Sequence, residues 1–204
     1  MKKFDFKKEY RELYNDSTNK MYLVTVPKLN YLAVDGHGDP NNSAQFQEAI
    51  EALFSVSYTI KFMLKKGPQQ IDYGVMPLEG LWWTDDLNNF SMENKADWKW
   101  TIMIMQPEFV TAEIIEQAKV QAAERKDLPL INSLRLETMD EGLCAQVLYI
   151  GPYAAEGPTI IRLHNYIEEN GYKTHGKHTE IYLSDMRRTA PEKLKTIIRQ
   201  PITK

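Results

Sequence analysis

The sequence contains little cysteine, since Cys144 is the single cysteine among 204 residues. One cysteine cannot form a disulfide within the chain, and Cys144 stands in the apolar stretch 143–150, where a small buried hydrophobic residue is expected. The sequence also lacks a run of about 20 apolar residues, the length that a membrane-spanning helix needs. The basic segment 1–8 lacks the apolar stretch of a secretory signal. These absences predict a cytoplasmic protein with no membrane partner.

The charges are nearly balanced, with 25 Lys and Arg, 28 Asp and Glu, and a formal net charge of -3. Such a chain has no overall positive field to attract the phosphates of DNA or RNA, so direct nucleic-acid binding is not expected. Residues 193–199 are locally basic. Their charges alternate with Leu194, Ile197 and Ile198, which is typical of a solvated amphipathic helix.

Several catalytic signatures are missing. No serine lies in a nucleophile-elbow pattern, and Gly36-x-Gly38 lacks the third glycine and the Lys-Ser/Thr pair of a phosphate loop. His175 and His178 lie in the polar turn 173–178 without a carboxylate or cysteine at zinc-site spacing, so neither a metal nor another cofactor is expected. His37 stands in a glycine-flanked turn, where a place on a pocket rim and a plain turn residue are both open interpretations.

Hydrophobic patterns divide the first half of the chain into strand, helix, strand and strand. The β-branched and aromatic runs 22–27 and 31–36 predict two strands or one bent strand. Asn42 with Gln45 forms a capping-box-like start, and apolar residues at helical spacing predict a long helix that Gly67-Pro68 ends. Residues 71–83 and 98–106 are predicted to form two further strands. The polar segment 84–97 joins them as the long connection of a hairpin.

The second half repeats this order after a predicted linking helix at 111–126. A strand is predicted at 143–150, followed by the turn Gly151-Pro152-Tyr153. A helix then opens at Pro158 and ends at Asn170-Gly171. A strand at 179–183 follows, and residues 190–202 predict a short helix and an edge strand.

The repetition predicts an α+β fold built from duplicated strand-helix-strand-strand units. A single domain, 1–204, would contain repeats of about 20–110 and 130–204, joined by the helix at 111–126. Two units with antiparallel strands and one helix each cannot cover both faces of a sheet. Helices are therefore expected on one face, with an open concave face and a ligand cleft between the units.

Two predicted strands carry a glutamate among aromatic residues. Strand alternation places Glu79 and Trp83 on one face of segment 77–83 and Trp82 on the other, while Glu180 and Tyr182 share a face of segment 179–183. Each residue alone has an ordinary explanation, as a solvated glutamate or a core aromatic residue. Together they are harder to explain by packing, because an ionised carboxylate in apolar surroundings is costly unless something pairs with it. A ligand is one such partner.

A cleft of this kind suits a flat apolar or cationic molecule. Aromatic rings provide stacking and cation-π attraction, and a carboxylate supplies the countercharge. Burial is expected to raise the pKa of Glu79 and Glu180, which makes both residues candidates for general acid or base catalysis. The two glutamates are therefore predicted to line one cleft with aromatic rings around them.

Several short segments, together with the duplicated order of elements, point to a known family. They are Gly151-Pro152-Tyr153, Pro77–Trp83, Glu180–Asp185 and Pro191–Thr196. In these segments the chain resembles the GyrI-like small-molecule-binding domain family, and the resemblance covers residue 22 to the C-terminus. It implies two SHS2 repeats about a pseudo-twofold axis and a drug pocket with a glutamate at its base, which Glu180 matches. The candidate ligand-contacting residues are Tyr182, Tyr149, Tyr153, Trp83, Trp100, Trp82 and His37.

Members of this family differ in function. Some are effector domains of MerR-type or AraC-type transcription regulators, some modulate gyrase, and some stand-alone members are hydrolases that open the cyclopropane of DNA-alkylating cyclopropanoid toxins. A regulator needs a helix-turn-helix, for which residues 1–20 are too short. The resemblance implies binding of flat aromatic or cationic xenobiotics, with glutamate-assisted water attack on electrophilic ones. A non-catalytic drug-binding or gyrase-interacting module, and a structural domain with a closed aromatic core, stay open as alternatives.

Overall fold

The computed structural model of the protein describes residues 1–84 and 97–204, so the predicted connection at 84–97 lies almost wholly outside the described residues. The described helices are α1 (Phe6–Glu9), α2 (Ala44–Lys66), α3 (Ala112–Ala123) and α4 (Gly157–Glu169). The described strands are β1 (Lys2–Phe4), β2 (Tyr22–Val26), β3 (Leu29–His37), β4 (Ile71–Tyr73), β5 (Leu78–Trp83), β6 (Lys99–Gln106), β7 (Arg135–Met139), β8 (Gly142–Ile150), β9 (Lys173–Thr174), β10 (His178–Tyr182) and β11 (Lys195–Thr203).

One large antiparallel sheet carries the fold, with the strand order β2-β8-β11-β10-β5-β6-β3-β7 and with β9 beside β11. β1 and β4 pair in parallel as a separate small sheet. β5 and β10 pair at the centre, and each is followed outward by two strands of its own half of the chain. The order strand, helix, strand, strand occurs as β3-α2-β5-β6 and again as β8-α4-β10-β11. The predicted α+β fold with an antiparallel sheet is confirmed.

The outer strands are exchanged between the two halves. β2 precedes β3 in the chain but pairs with β8, and β7 precedes β8 but pairs with β3. Only Pro27 and Lys28 connect β2 to β3, and such a link reaches at most about 11 Å. β2 and β3 lie near opposite ends of the strand order, so the sheet must curl until its ends approach each other.

Electrostatic interactions across the sheet agree with this curvature. Tyr31 on β3 is separated from Arg199 on β11 by three strands, yet the charge of Arg199 acts on the Tyr31 hydroxyl, as do the charges of Glu79 and Glu141. We call the concave side that these residues share the inner face. It is filled by side chains, including Tyr14 from the N-terminal segment. In the part of the chain that the structure describes, the concave side is therefore filled and not open as predicted.

The two long helices of the repeats pack on the other side of the sheet, which we call the helix face. In α2, the Phe46 ring contacts the rings of Trp82 on β5 and Trp100 on β6, with centroids 5.8 and 5.1 Å apart. In α4, buried Leu163 and Ile167 belong to the same cluster as Val147 and Ile198. Burial of these apolar stripes fixes both helices against the sheet. None of the described helices combines the length and the hydropathy of a membrane-spanning segment.

The start of α2 differs from its prediction by one residue. Ser43, and not Asn42, caps the helix, because the Ser43 hydroxyl accepts a hydrogen bond from the backbone N–H of Phe46 at 3.2 Å. The side chain of Asn42 instead donates to the Asp39 carboxylate at 3.1 Å. Both serine and asparagine are good caps. The local hydrogen bond to Asp39 therefore decides between them.

Four other predictions need correction. Residues 71–83 form two strands and not one, because Pro77 lacks the N–H that a continuous ladder would need. β11 lies between β8 and β10, and so is not an edge strand. Residues 193–199 are not a solvated helix, since most of them belong to β11 and Arg199 is fully buried. The linking helix is shorter than predicted and spans Ala112–Ala123.

Candidate ligand-binding site

The pairing of β10 with β5 decides which predicted site residues lie together. Glu180 stands opposite Gly80, whereas Glu79 stands opposite Ile181. Opposed residues of an antiparallel pair point to the same face, and successive residues alternate. Gly80 shares the helix face with Trp82, so Glu180 lies on the helix face and Glu79 on the inner face. The prediction that both glutamates line one cleft is wrong.

Six of the predicted site residues belong to the helix-face side of the sheet. They are Glu180, Tyr182, Tyr149, Trp82 and Trp100, by register, and Tyr153 in the turn after β8. The Tyr153 and Tyr182 rings meet edge to face, with centroids 5.4 Å apart. The other three, Glu79, Trp83 and His37, lie on the inner-face side. We call the group of Glu180, Tyr149, Tyr153 and Tyr182 the Glu180 site.

A short chain of hydrogen bonds holds the Glu180 carboxylate. Nε1 of Trp82 donates to the Tyr182 hydroxyl at 3.0 Å, and this hydroxyl donates to Oε2 of Glu180 at 2.8 Å. Because an indole N–H can only donate, the chain has one direction, and its last donor faces the carboxylate. On the other side, Oε1 of Glu180 lies 3.4 Å from Nε2 of His178. The site therefore presents an oriented carboxylate beside tyrosine rings.

The hydrogen bond between Trp82 and Tyr182 packs directly over Gly80. A Cβ atom at position 80 would lie 2.8 Å from Nε1 of Trp82 and 3.2 Å from the Tyr182 hydroxyl. The first distance is shorter than van der Waals contact allows. A glycine opposite Glu180 is therefore what lets the indole and the phenol cross the strand and meet.

The turn after β8 places two further tyrosines. The Tyr149 hydroxyl donates to the backbone carbonyl of Pro152 at 3.0 Å, folding the ring over Gly151, whose φ is 148°. A Cβ at that glycine would lie 2.5 Å from the Tyr149 hydroxyl. Burial raises the pKa of Tyr153 to about 12, and the charges of Glu156 and Glu180 add to the effect. The phenol of Tyr153 therefore stays protonated at neutral pH.

Glu156 is a residue near the site that the sequence reasoning missed. It is 1% exposed and directly precedes α4. The pKa of Tyr149 and of Tyr153 is raised first by burial of each phenol and second by the charge of Glu156. The signal available in the sequence was an acidic residue just after the Gly151-Pro152-Tyr153 turn. That position is equally typical of an exposed residue near a helix N-terminus, so burial could not be inferred.

Trp82 and Trp100, the two predicted site tryptophans on the helix face, support the site from within the core. Trp100 is fully buried, and its ring lies on Gly36, where a Cβ would approach the ring to 2.1 Å. Trp82 is 4% exposed. Neither ring offers much surface to a ligand in this structure. Their contribution is to anchor Phe46 of α2 and, through Trp82, to orient Tyr182.

On the inner face, Glu79 lies in the interior. It is fully buried, Oε1 accepts a hydrogen bond from the Tyr14 hydroxyl at 2.8 Å, and Oε2 makes no hydrogen bond within the described part of the chain. Burial raises the pKa of Glu79 from 4.5 to about 7, while the charge of Arg199 opposes the increase. Its pKa is perturbed as predicted, but the cause is a closed interior and not a cleft.

Arg199 organises the rest of this interior. Its guanidinium donates to Glu141 at 3.2 Å, to Gln146 at 3.0 Å and to the backbone carbonyl of Leu13 at 3.0 Å. A buried arginine needs such partners, because removing a charge from water is costly. Burial also raises the pKa of nearby Cys144 to about 12. A cysteine in this state behaves as the small buried hydrophobic residue that was predicted.

At the rim of the inner face, another residue of the protein covers the ring of Trp83. Nζ of Lys177 lies 3.3 Å from the centroid of a Trp83 ring, as a cation over an aromatic face. His37 ends β3 at the same rim and is exposed. Within residues 1–84 and 97–204, no cluster of three His, Cys, Asp or Glu side chains is arranged to hold a metal ion.

An oriented carboxylate beside aromatic rings, on a sheet covered by two helices, defines a class of small-molecule-binding domain. The family model described as the GyrI-like small molecule binding domain matches residues 19–203. The chain belongs to this family, as its sequence predicts. A search of curated proteins finds no match.

Three solved structures from Listeria innocua are similar to this chain. An uncharacterised conserved protein is 38% identical with a TM-score of 0.90, and the match covers 98% of this chain and 100% of that protein. A hydrolase is 37% identical with a TM-score of 0.88, and the match covers 99% of this chain and 100% of that hydrolase. A second structure named as a hydrolase is 37% identical with a TM-score of 0.85, and the match covers 98% of this chain and 100% of the chain in that structure.

Proposed function

We propose that this protein binds flat aromatic or cationic xenobiotics at the Glu180 site and hydrolyses those that carry a strained electrophilic ring. Cyclopropanoids, in which a cyclopropane is conjugated to a carbonyl group, are the substrate class. The observation that carries the proposal is the carboxylate of Glu180, oriented by Tyr182 and set beside half-buried tyrosines. The two Listeria innocua proteins named as hydrolases support the catalytic part.

The binding part follows from the charges and the rings. Glu180 and Glu156 bring two carboxylates near Tyr149, Tyr153 and Tyr182. Tyrosine faces attract cations and stack on planar rings, and nearby negative charge strengthens the attraction. A delocalised cation or an electron-poor ring system therefore fits the site better than an anion does.

The hydrolytic part uses Glu180 as a general base. The carboxylate accepts a proton from a water molecule as the water oxygen bonds to a carbon of the strained ring. The carbon–carbon bond to that carbon breaks, and its electron pair moves into the conjugated carbonyl group. An activated cyclopropane thus becomes an alcohol and an enolate or phenolate. General base catalysis of this type contributes on the order of 10²–10⁴ in rate.

The test is ring opening of a spirocyclopropyl cyclohexadienone, followed by mass spectrometry as the gain of one water. We expect turnover by the natural protein and a loss of about 10² or more in kcat for Glu180→Gln. Glu192→Gln is the matched control, because Glu192 is exposed in the turn before β11. Unchanged kcat in Glu180→Gln would refute the catalytic role.

A non-catalytic drug-binding module is the alternative, because rings and countercharge suffice to hold a stable cation. Stoichiometric binding of the probe without product would favour it, and recovery of gyrase on the immobilised protein would favour a gyrase-interacting role. The cytoplasmic location and the lack of a nucleic-acid partner stay predictions.

A further inference from the structure

His178 lies beside the Glu180 site and has no role in the scheme above. It stands on β10 two residues before Glu180, so both side chains lie on the helix face, and its cross-strand neighbour is Trp82. The side chains of His178 and Glu180 are 11% and 14% exposed. Nε2 of His178 lies 3.4 Å from Oε1 of Glu180 and forms no hydrogen bond within residues 1–84 and 97–204.

Because the hydrogen-bond chain runs in one direction, Glu180 needs another group that can take the proton from it. A general base that has accepted a proton must release it before the next turnover. The proton cannot leave through Oε2, because Tyr182 already donates there and Trp82 behind it is a donor only. Oε1 is the remaining oxygen, and the imidazole of His178 lies beside it.

His164 is a second imidazole near His178. It stands on α4, and its buried Nε2 also lacks a hydrogen-bond partner in the described part of the protein. Burial lowers the pKa of His164, and the nearby charge of His178 lowers it further. One turn later on the same helix is exposed Glu168, whose charge also acts on His164. A second imidazole, on α4, is thus close enough to His178 for their charges to interact.

We propose that His178 is a positioning and proton-relay residue for Glu180. The inference rests on the proposed function. Water gives a proton to Oε1 of Glu180 as the new carbon–oxygen bond forms. Glu180 passes this proton to Nε2 of His178, and His178 delivers it to the phenolate oxygen of the product or to solvent. The net reaction adds one water and leaves both residues in their starting protonation states.

The test compares His178→Gln with His175→Gln on the spirocyclopropyl cyclohexadienone. His175 is the matched control, since it is exposed in the turn between β9 and β10. We expect kcat of His178→Gln to fall by about tenfold or more while KM changes by less than about threefold, because the relay acts after binding. We also expect added imidazole to restore part of the lost kcat. A purely structural role would not respond to imidazole.

The possible results separate this inference from the proposed function. No product with the natural protein would refute the proposed function. Turnover that needs Glu180 but is unchanged in His178→Gln would refute the relay alone. A loss of kcat that imidazole does not restore, in both His178→Gln and His178→Asn and with melting temperatures equal to that of the natural protein, would also overturn it.

Discussion

The buried carboxyl group of Glu79 should make the stability of the protein depend on pH in a defined way. The pKa of Glu79 is raised from 4.5 to about 7 by burial. In the unfolded chain, the same group loses its proton near its ordinary value. Between these two values the folded protein holds a proton that the unfolded chain has released, so rising pH favours unfolding.

The magnitude follows from the same two values. At about 1.4 kcal/mol per unit of pKa, a rise from 4.5 to about 7 corresponds to about 3 kcal/mol. This stabilisation is fully present below about pH 4.5 and is lost as pH rises through about 7. The substitution Glu79→Gln removes the titration but keeps the shape and an oxygen that can accept the Tyr14 hydrogen bond. As pH rises from about 4.5 to about 7, the free energy of unfolding of the variant should therefore increase by about 3 kcal/mol relative to that of the natural protein.

Urea unfolding followed by tryptophan fluorescence, at a series of pH values, measures this difference directly. Subtracting the free energy of unfolding of the natural protein from that of the variant cancels the other titrating groups. A difference that does not change with pH would show that Glu79 does not titrate in this range. A difference of opposite sign would show that Arg199 dominates and keeps Glu79 ionised. Glu192→Gln, at an exposed site, is the control for the effect of the substitution itself.

Two further substitutions test other parts of the structure. Arg199→Met leaves buried Glu141 without its charged partner and should lower the free energy of unfolding by about 3–5 kcal/mol. Arg187→Met, at an exposed position, should have little effect, and equal urea midpoints of the two variants would contradict the prediction. Gly80→Ala should displace Trp82 and lower stability by about 1–3 kcal/mol, while Gly74→Ala, where no atom lies within 4 Å of the new Cβ, should not; equal melting temperatures of the two variants would contradict it.

Much of the fold could be predicted because its signals are local. The helical spacing of apolar residues in α2 and α4, and the glycine or proline at their ends, are properties of neighbouring residues. The duplicated order of elements follows from these signals in sequence. The exact capping residue of α2 was missed, because Asn42 and Ser43 are both suitable and the choice depends on the side chain of Asp39.

The relation between the two glutamates could not be predicted, because it depends on register between strands. Alternation within a strand tells which neighbours of Glu79 or of Glu180 share its face, and those statements hold. It says nothing about which residue of β5 stands opposite Glu180. A shift by one residue transfers a side chain to the other face, and the observed register aligns Glu180 with Gly80.

Arg199 illustrates a second limit. A basic residue among isoleucines at 197 and 198 is typical of the boundary of an amphipathic helix, and burial of the charge is expensive unless partners are present. Those partners, Glu141 and Gln146, lie more than fifty residues earlier in the chain. Only the pairing of β11 with β8 brings them together.

The exchange of β2 and β7 between the halves bears on how the chain acquires its structure. During synthesis, β3, β5 and β6 can pair early, but β2 has no strand to pair with until β8 has left the ribosome. The first half then presents apolar residues of β2 such as Val24 and Val26 without cover. Long-range pairing of this kind slows folding and extends the period in which aggregation competes. A fragment ending before β8 should therefore not fold alone. A circular permutant that opens the chain between β2 and β3 makes β2 after its partner β8 and should depend less on chaperones.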